Sequence, residues 1–290
     1  MGGTTNSNVQ EGQGLARKQV EARLAADGVV ILPPADVLAC MEAVRSLGLD
    51  IKTTILDPWY NKGVGGIRED YDEFILQLLR AAGRISDHVF LWGFPEIIAP
   101  FVRNIPEPLS LVTWLTWYYK NSPSVIRGWR SSQNACLHLS RPGARLYPEH
   151  FLNAAQKRLR EQGKLRYMPG PTSVIEESLI VGFVGRREKT GHPSQKPIAV
   201  FEKLILMTTL EGDLVFDPMS GSGTTGDAAL RLGRRAILSD VSEDYTQIAE
   251  GRLGLSRLGA AGRVKGHTLT IKAKRSAEEC AGDLFCHHED

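Results

Sequence analysis

The stretch from residue 214 to residue 240 constrains the fold more than any other part of the chain. Leu214, Val215 and Phe216 form a short apolar run, and residues 217–226 form a turn rich in Gly, Ser and Thr. A helix begins over 226–232, and residues 235–239 make a second apolar run that ends at Asp240. Strand, turn, helix and strand in this order are a βαβ unit. Such units build parallel, doubly wound sheets with ligands at the carboxyl ends of the strands. Gly221 and Gly223 lack side chains, so backbone there can come close to a ligand. The helix that follows offers free N–H groups at its start, and an acid at the position of Asp240 can accept both hydroxyls of a ribose. A glycine-rich turn alone is weak evidence, since many α/β proteins have one; the ordered set is stronger.

The same rhythm runs through the earlier part of the chain. Residues 29–32 read as a buried strand ended by Pro33-Pro34, and 36–47 as a helix with Asp36 as a cap. Residues 53–56 are a strand that runs directly into Asp57-Pro58-Trp59-Tyr60, followed by a Gly-rich loop over 61–66. A helix over 71–82 and strands over 87–92, 109–119, 133–139 and 178–184 complete the pattern. Trp92, Trp114 and Trp117 fall in strand-like stretches and are assigned to the core. By composition, residues 1–18 are expected to be a disordered tail, and 274–290 a polar one.

With 290 residues and 42% hydrophobic content, the chain can build a sizeable core. The net charge is only +2, yet residues 120–190 hold 13 Lys+Arg against 5 Asp+Glu. A basic middle suits a polyanion such as nucleic acid; a solvated basic helix face is the equally plain alternative. The four cysteines, Cys40, Cys136, Cys280 and Cys286, form no Cys-x-x-Cys and no disulfide ladder, which fits a reducing cytoplasm. Cys280, Cys286, His287 and His288 have no usual zinc spacing, so no metal is expected. The N-terminus lacks the features of a signal peptide, and no apolar run approaches the roughly 18 residues of a membrane span.

Three segments carry a family resemblance. Asp217-Pro218-Met219-Ser220-Gly221-Ser222-Gly223-Thr224-Thr225 resembles the S-adenosylmethionine-binding motif DPF-x-GSGTT of amino-methyltransferases, with Met219 in place of the aromatic residue. Gly191-His192-Pro193-Ser194-Gln195-Lys196-Pro197 looks like the motif these enzymes place just before the cofactor strand. Asp57-Pro58-Trp59-Tyr60 is similar to their catalytic tetrapeptide [DNS]-P-P-[YFW], with Trp59 at the second proline. Catalytic motif first and cofactor motif last is the order of the β group of N6-adenine and N4-cytosine DNA methyltransferases, and the resemblance runs from about residue 29 to about residue 255.

The resemblance implies an α/β, doubly wound, mostly parallel seven-stranded sheet of the Rossmann-like methyltransferase kind, with an antiparallel edge hairpin. It implies one catalytic domain over 19–273, with a small basic target-recognition insert over 141–190. S-adenosylmethionine would be the cofactor, held by the 217–225 turn, Asp240, Gln195, Lys196 and Pro197. Asp36 stands where the family contacts the cofactor's adenine, although a plain helix cap explains it equally well. Double-stranded DNA would be the substrate, with a homodimer and a restriction partner left open.

An exocyclic amine is a poor nucleophile because its lone pair is delocalised into the ring. Acceptors on its two N–H groups favour a tetrahedral nitrogen that can attack the sulfonium methyl in line. Asp57 can supply one acceptor and the Pro58 carbonyl the other, while Tyr60 can stack on an extruded base. Asp at the first position favours adenine. N4-cytosine methylation, or a relative that binds cofactor or DNA without turnover, are the alternatives. The loop over 61–66 is a candidate lid, and Lys157, Arg158, Arg160, Arg186 and Arg187 are candidate phosphate contacts.

Overall fold

The computed structural model describes residues 4–62, 66–122, 125–126 and 128–259. One eight-stranded sheet runs through it. Its spatial order is β1 (Val29–Ile31), β10 (Arg235–Leu238), β9 (Leu214–Asp217), β2 (Ile51–Leu56), β3 (Ser86–Gly93), β7 (Gln133–Ser140), β4 (Ser110–Tyr118) and β8 (Val174–Glu176). Every neighbouring pair is parallel except the two that involve β7, which runs against both β3 and β4. A small hairpin, β5 (Val125–Ile126) with β6 (Trp129–Arg130), lies between β4 and β7 in the chain.

The fold class is the one expected, with two corrections. The sheet has eight strands rather than seven, and the β4–β7 hairpin is not at the edge, because β8 pairs in parallel with β4 outside it. The strand expected over 178–184 is absent. Pairing occurs earlier, at Val174–Glu176, where Ile175 is buried. Gly182 and Gly185 then take φ values of 57° and 65°, a left-handed backbone that ends extension, and the Asn121 side chain fastens the backbone of Leu179 at both its N–H and its C=O.

Both faces of the sheet are covered, which is why parallel strands such as Val29–Ile31 and residues 214–216 of β9 read as unbroken apolar runs. On one face lie α1 (Thr4–Asp27), α2 (Val37–Ser46) and α3 (Tyr71–Ile85). Their Leu24, Met41, Val44, Phe74 and Leu78 pack with Leu56, Leu91, Leu137 and Phe216. On the other lie α6 (Ile198–Thr208), α7 (Thr224–Arg231) and α8 (Glu243–Leu253), whose Val200, Phe201, Leu204, Ala228 and Ala249 meet Ile55, Phe90, Trp92 and Val215. Successive residues Ile55 and Leu56 thus enter opposite cores, as the two-residue period of a strand requires. Two short helices, α4 (Pro95–Ile98) and α5 (Ala154–Glu161), and two 3-10 turns, Ala99–Arg103 and Pro148–Phe151, complete the described elements. Trp92 and Trp117 are buried as expected, whereas Trp114 is only partly covered.

The N-terminal segment also differs from expectation. Residues 4–27 form one helix, where composition suggested disorder through residue 18. Val20 and Leu24 are buried against the core, and the Arg23 guanidinium donates to the Ser256 carbonyl at 2.6 Å. Extension upstream from an anchored turn avoids the cost of nucleating a new helix. The expected polar tail over 274–290, with Cys280, Cys286, His287 and His288, lies outside the described residues. Cys40 and Cys136 are free and buried, and among the described residues no helix is long and apolar enough to cross a membrane.

Leu78 is fully buried between α3 and the sheet. Leu78→Ala should lower unfolding stability by about 2–5 kcal/mol, read as a fall in the urea midpoint at unchanged slope.

Candidate active site

β2 and β9 are adjacent, with Ile51 level with Leu214 and Thr54 level with Phe216. The turns that follow them, 57–60 and 217–226, therefore leave the same edge of the sheet side by side. From this pair the chain winds outward in both directions, to β3 on one side and to β10 and β1 on the other. That is the switch point at which doubly wound sheets open a crevice.

In the first turn the Asp57 carboxylate is engaged on both oxygens. Oδ2 pairs with the Lys196 ammonium, and Oδ1 accepts from the Tyr60 hydroxyl at 3.3 Å. Lys196 Nζ also donates to the Tyr60 hydroxyl oxygen at 3.0 Å and lies over the rings of Tyr60 and Trp92, 5.5 and 5.4 Å from their centres. Burial, reinforced by the Asp57 charge, raises the Tyr60 hydroxyl well above its usual range, so it remains a donor. The Tyr60 ring meets Phe94 edge-on, 4.6 Å between centres.

Trp59, the departure from the family pattern, is built into the wall. Its ring packs on Tyr71 and Phe74 at 5.6 and 5.4 Å, and its Nε1 donates to the Gly66 carbonyl at 3.2 Å. Its own carbonyl accepts from the Tyr71 hydroxyl at 2.6 Å. Packing thus supplies the restraint that a proline ring would have supplied through φ. The loop beyond is tied at its ends by Asn61, whose side chain bonds both N–H and C=O of Arg68 at 2.6 and 3.0 Å. Of the candidate lid, Gly63 and Gly65 lie outside the described residues.

In the second turn Asp217 is an internal brace. Its carboxylate accepts from the Thr225 hydroxyl and from the Met219 N–H, the latter at 3.0 Å. Burial is the largest influence on it and pushes its pKa up to about 7, against the lowering effect of those donors. Pro218 is buried, and Met219 packs on the α1–α3 side of the core. Gly221 and Gly223 are needed for more than ligand approach. Their φ values are 48° and 74°. A Cβ at Gly221 would stand 2.9 Å from His192 Nε2, and one at Gly223 would stand 3.0 Å from Ala249 Cβ. Asp240 is buried, accepting from the backbone N–H of Gly221 through Oδ2 and of Ser242 through Oδ1, each at 2.9 Å.

The 191–197 segment joins the two turns. The Thr224 hydroxyl donates to the Lys196 carbonyl at 3.5 Å, so Lys196 touches the 217–226 turn through its backbone and the 57–60 turn through its side chain. Gln195 is occupied within its own loop, accepting from Thr190 N at 2.9 Å and donating to the Glu188 carbonyl at 2.6 Å. Pro197 leads into α6. Asp36 borders the site through its neighbour Ala35, whose N–H donates to the Asp240 carbonyl at 3.2 Å. Its own carboxylate caps α2, accepting from Leu38 and Ala39 N–H at 3.0 Å each, which is the helix-cap reading.

Two residues join the site that sequence reasoning did not single out. His192 lies against Gly221 and meets Tyr245 edge-on at 4.3 Å, and burial drives its pKa down to about 3, so the ring is neutral. Its place in the 191–197 motif was the available signal. Arg252 donates to the Thr224 hydroxyl at 2.8 Å and pairs with Asp227 at 3.0 Å, fixing the start of α7. Nothing in its helix pattern marked it.

The donors and acceptors fit an amino-acid-bearing nucleoside. Asp240 keeps lone pairs for ribose hydroxyls, the start of α7 favours a carboxylate, and Lys196 meets Thr224 through its carbonyl and Asp57 through its ammonium. A doubly wound sheet with these two turns at its switch point defines a cofactor-dependent α/β enzyme. The chain belongs to the DNA methylase family of N6 and N4 methyltransferases, whose model matches residues 51–251. It is 29% identical over 238 residues to the type II methyltransferase M.HpaI of Haemophilus parainfluenzae, covering 74% of this chain and 73% of that protein. The DNA adenine methyltransferase YhdJ of Escherichia coli (strain K12) is 36% identical over 88 residues, 30% of this chain and 28% of YhdJ. Among solved structures, the M1.HpyAVI–SAM complex shares the fold with a TM-score of 0.60 and 22% identity, over 78% of this chain and all of that one. The cytosine-N4-specific PvuII DNA methyltransferase does so at 0.57 and 14%, over 89% and 93%.

Because the folded pKa of Asp217 is raised, the stability it allows is complete below the usual carboxylate range, about 4, and is lost as pH rises through about 7. Asp217→Asn should therefore melt progressively higher relative to the unmodified protein between about pH 4 and about pH 7; a pH-independent difference would contradict this account. Trp59→Pro should give no gain in methyl transfer and should lose about 1–3 kcal/mol of stability with the indole packing, read by thermal unfolding and labelled-methyl incorporation.

Proposed function

We propose that this protein transfers the methyl group of S-adenosylmethionine to N6 of an adenine turned out of double-stranded DNA. The observation that carries the reading is the juxtaposition of Asp57 and Tyr60, through Lys196, with the glycine turn after β9. The cofactor supplies an electrophilic methyl on a sulfonium. Asp240 would hold its ribose, and the start of α7 with Lys196 its carboxylate.

The chain's own residues prepare the nucleophile. Asp57 and the Pro58 carbonyl accept the two N–H groups of the target amine, which turns the nitrogen lone pair toward the methyl. This is preorganisation of charge and position, with no covalent intermediate on the protein. Tyr60, braced by Phe94, offers a ring face for the extruded base, a contact of about 1–3 kcal/mol. Asp57, rather than Ser, at the head of the tetrapeptide favours adenine. The exposed Lys157, Arg158, Arg160, Arg186 and Arg187 are suited to phosphate contacts. Their segment runs from the outer edge of the sheet into the loop that carries Lys196, in keeping with the 141–190 stretch as the target-recognition insert. The type II relatives suggest a cytoplasmic restriction–modification setting.

Single-molecule sequencing of DNA from cells expressing the protein should show N6-methyladenine in one sequence context. Asp57→Ala should remove the mark and lower kcat/KM by about a thousandfold or more, about 4 kcal/mol of transition-state stabilisation. N4-methylcytosine in its place would overturn the base assignment, and no mark at all would overturn the activity.

A further inference from the structure

We infer that Lys196 is a positioning residue that keeps the catalytic turn closed to a base until a cofactor carboxylate draws its ammonium away, so that cofactor must bind before DNA base. This rests on the proposed function and adds an order of events to it.

Three observations converge on it. The ammonium sits on Asp57 Oδ2, an acceptor the target amine needs, and on the hydroxyl of Tyr60, whose ring the base would stack on, while that hydroxyl covers Asp57 Oδ1. In this arrangement both carboxylate oxygens already have donors. Second, the pair is largely shielded from water, the Lys196 side chain being 5% exposed and that of Asp57 21%. A shielded ammonium that leaves its partner without finding another anion incurs a large desolvation cost, so thermal opening toward solvent is disfavoured. Third, the Lys196 backbone is fixed. Its carbonyl accepts from the Thr224 hydroxyl, its neighbour Gln195 is bonded to Thr190 and Glu188, and Pro197 leads into α6. Only the flexible butyl stem can move, and it springs from beside the first turn of α7, where a carboxylate is favoured. The aromatic faces of Tyr60 and Trp92 lie within 6 Å of the ammonium and keep it attended as it turns.

If one cation serves two anions in turn, Asp57 competes with cofactor for it. Removing the Asp57 charge should then tighten binding of any ligand that carries the carboxylate and leave unchanged one that lacks it. The test measures dissociation constants on the full chain by calorimetry with two unreactive probes: S-adenosylhomocysteine, which has the amino-acid end, and 5′-methylthioadenosine, which does not.

Asp57→Asn should bind S-adenosylhomocysteine about tenfold more tightly, equivalent to about 1.4 kcal/mol, with 5′-methylthioadenosine unaffected. Tyr60→Phe, a milder change that keeps the ring, should give a smaller gain of the same sign. Lys196→Met should weaken S-adenosylhomocysteine at least fivefold and abolish the gain in the double variant with Asp57→Asn. Unchanged or weaker binding of S-adenosylhomocysteine by both Asp57→Asn and Tyr60→Phe, with 5′-methylthioadenosine still bound, would overturn the competition while leaving the methyltransferase reading intact. Failure of the unmodified protein to bind either probe would overturn both.

Discussion

The parallel pairing of β2 with β9, with Thr54 level with Phe216, decides where the chemistry of this chain can happen. Inside the sheet it is ordinary backbone hydrogen bonding, buried by apolar residues on both faces. Within it the Thr53 hydroxyl reaches the Thr208 hydroxyl at 2.7 Å, so the β2 side of the pair is tied to α6 as well as to β9. At its carboxyl end it does something no single strand could: it sets two short turns, each with its own functional groups, at the same level and a strand's width apart. The rigidity of the pair is what lets a carboxylate on one turn and a glycine loop on the other act on one small volume.

The buried ion pair across that volume is the second constraint. Asp57 and Lys196 are shielded enough that removing either would strand the other. A charge pair in such surroundings contributes less to stability than to specifying which groups face each other. Here it ties the turn after β2 to the segment that borders the turn after β9 through one flexible stem. The supporting network is local and dense: His192 against Gly221, Arg252 on Thr224, Thr225 on Asp217, and the Gly221 N–H on Asp240. Each bond fixes part of the cofactor turn without using a ligand atom.

Much of this was legible in the sequence because it obeys short-range rules. The strand before Asp57, the strand before Asp217 and the helix after Gly223 were readable from apolar runs and glycine placement, and the cap that Asp36 gives α2 was one of the two readings open for it. What failed had long-range causes. The residue 178–184 stretch has strand-forming composition, but Gly182 and Gly185 turn it, and the parallel partner of β4 is the less conspicuous Val174–Glu176. The N-terminal helix looked like a polar tail because its anchor, Arg23 on the Ser256 carbonyl, joins residues 233 positions apart. In the site, the tetrapeptide and the glycine turn were found by pattern. The engagement of Lys196 with Asp57 was not, since spacing along a chain does not say where a long side chain ends. Trp59 read only as a departure from the proline pattern, and its packing on Tyr71 and Phe74 was not visible there.

The two partners of that ion pair are 139 positions apart in sequence, on opposite sides of the basic stretch over 141–190. Neither half of the polypeptide, taken alone, owns a complete reaction centre. A nascent chain emerging from the ribosome would be chemically inert until its last βαβ unit had threaded in beside its first. The same property makes that stretch a natural cut point for a two-fragment version of the protein, in which methylation reports that the fragments have found each other.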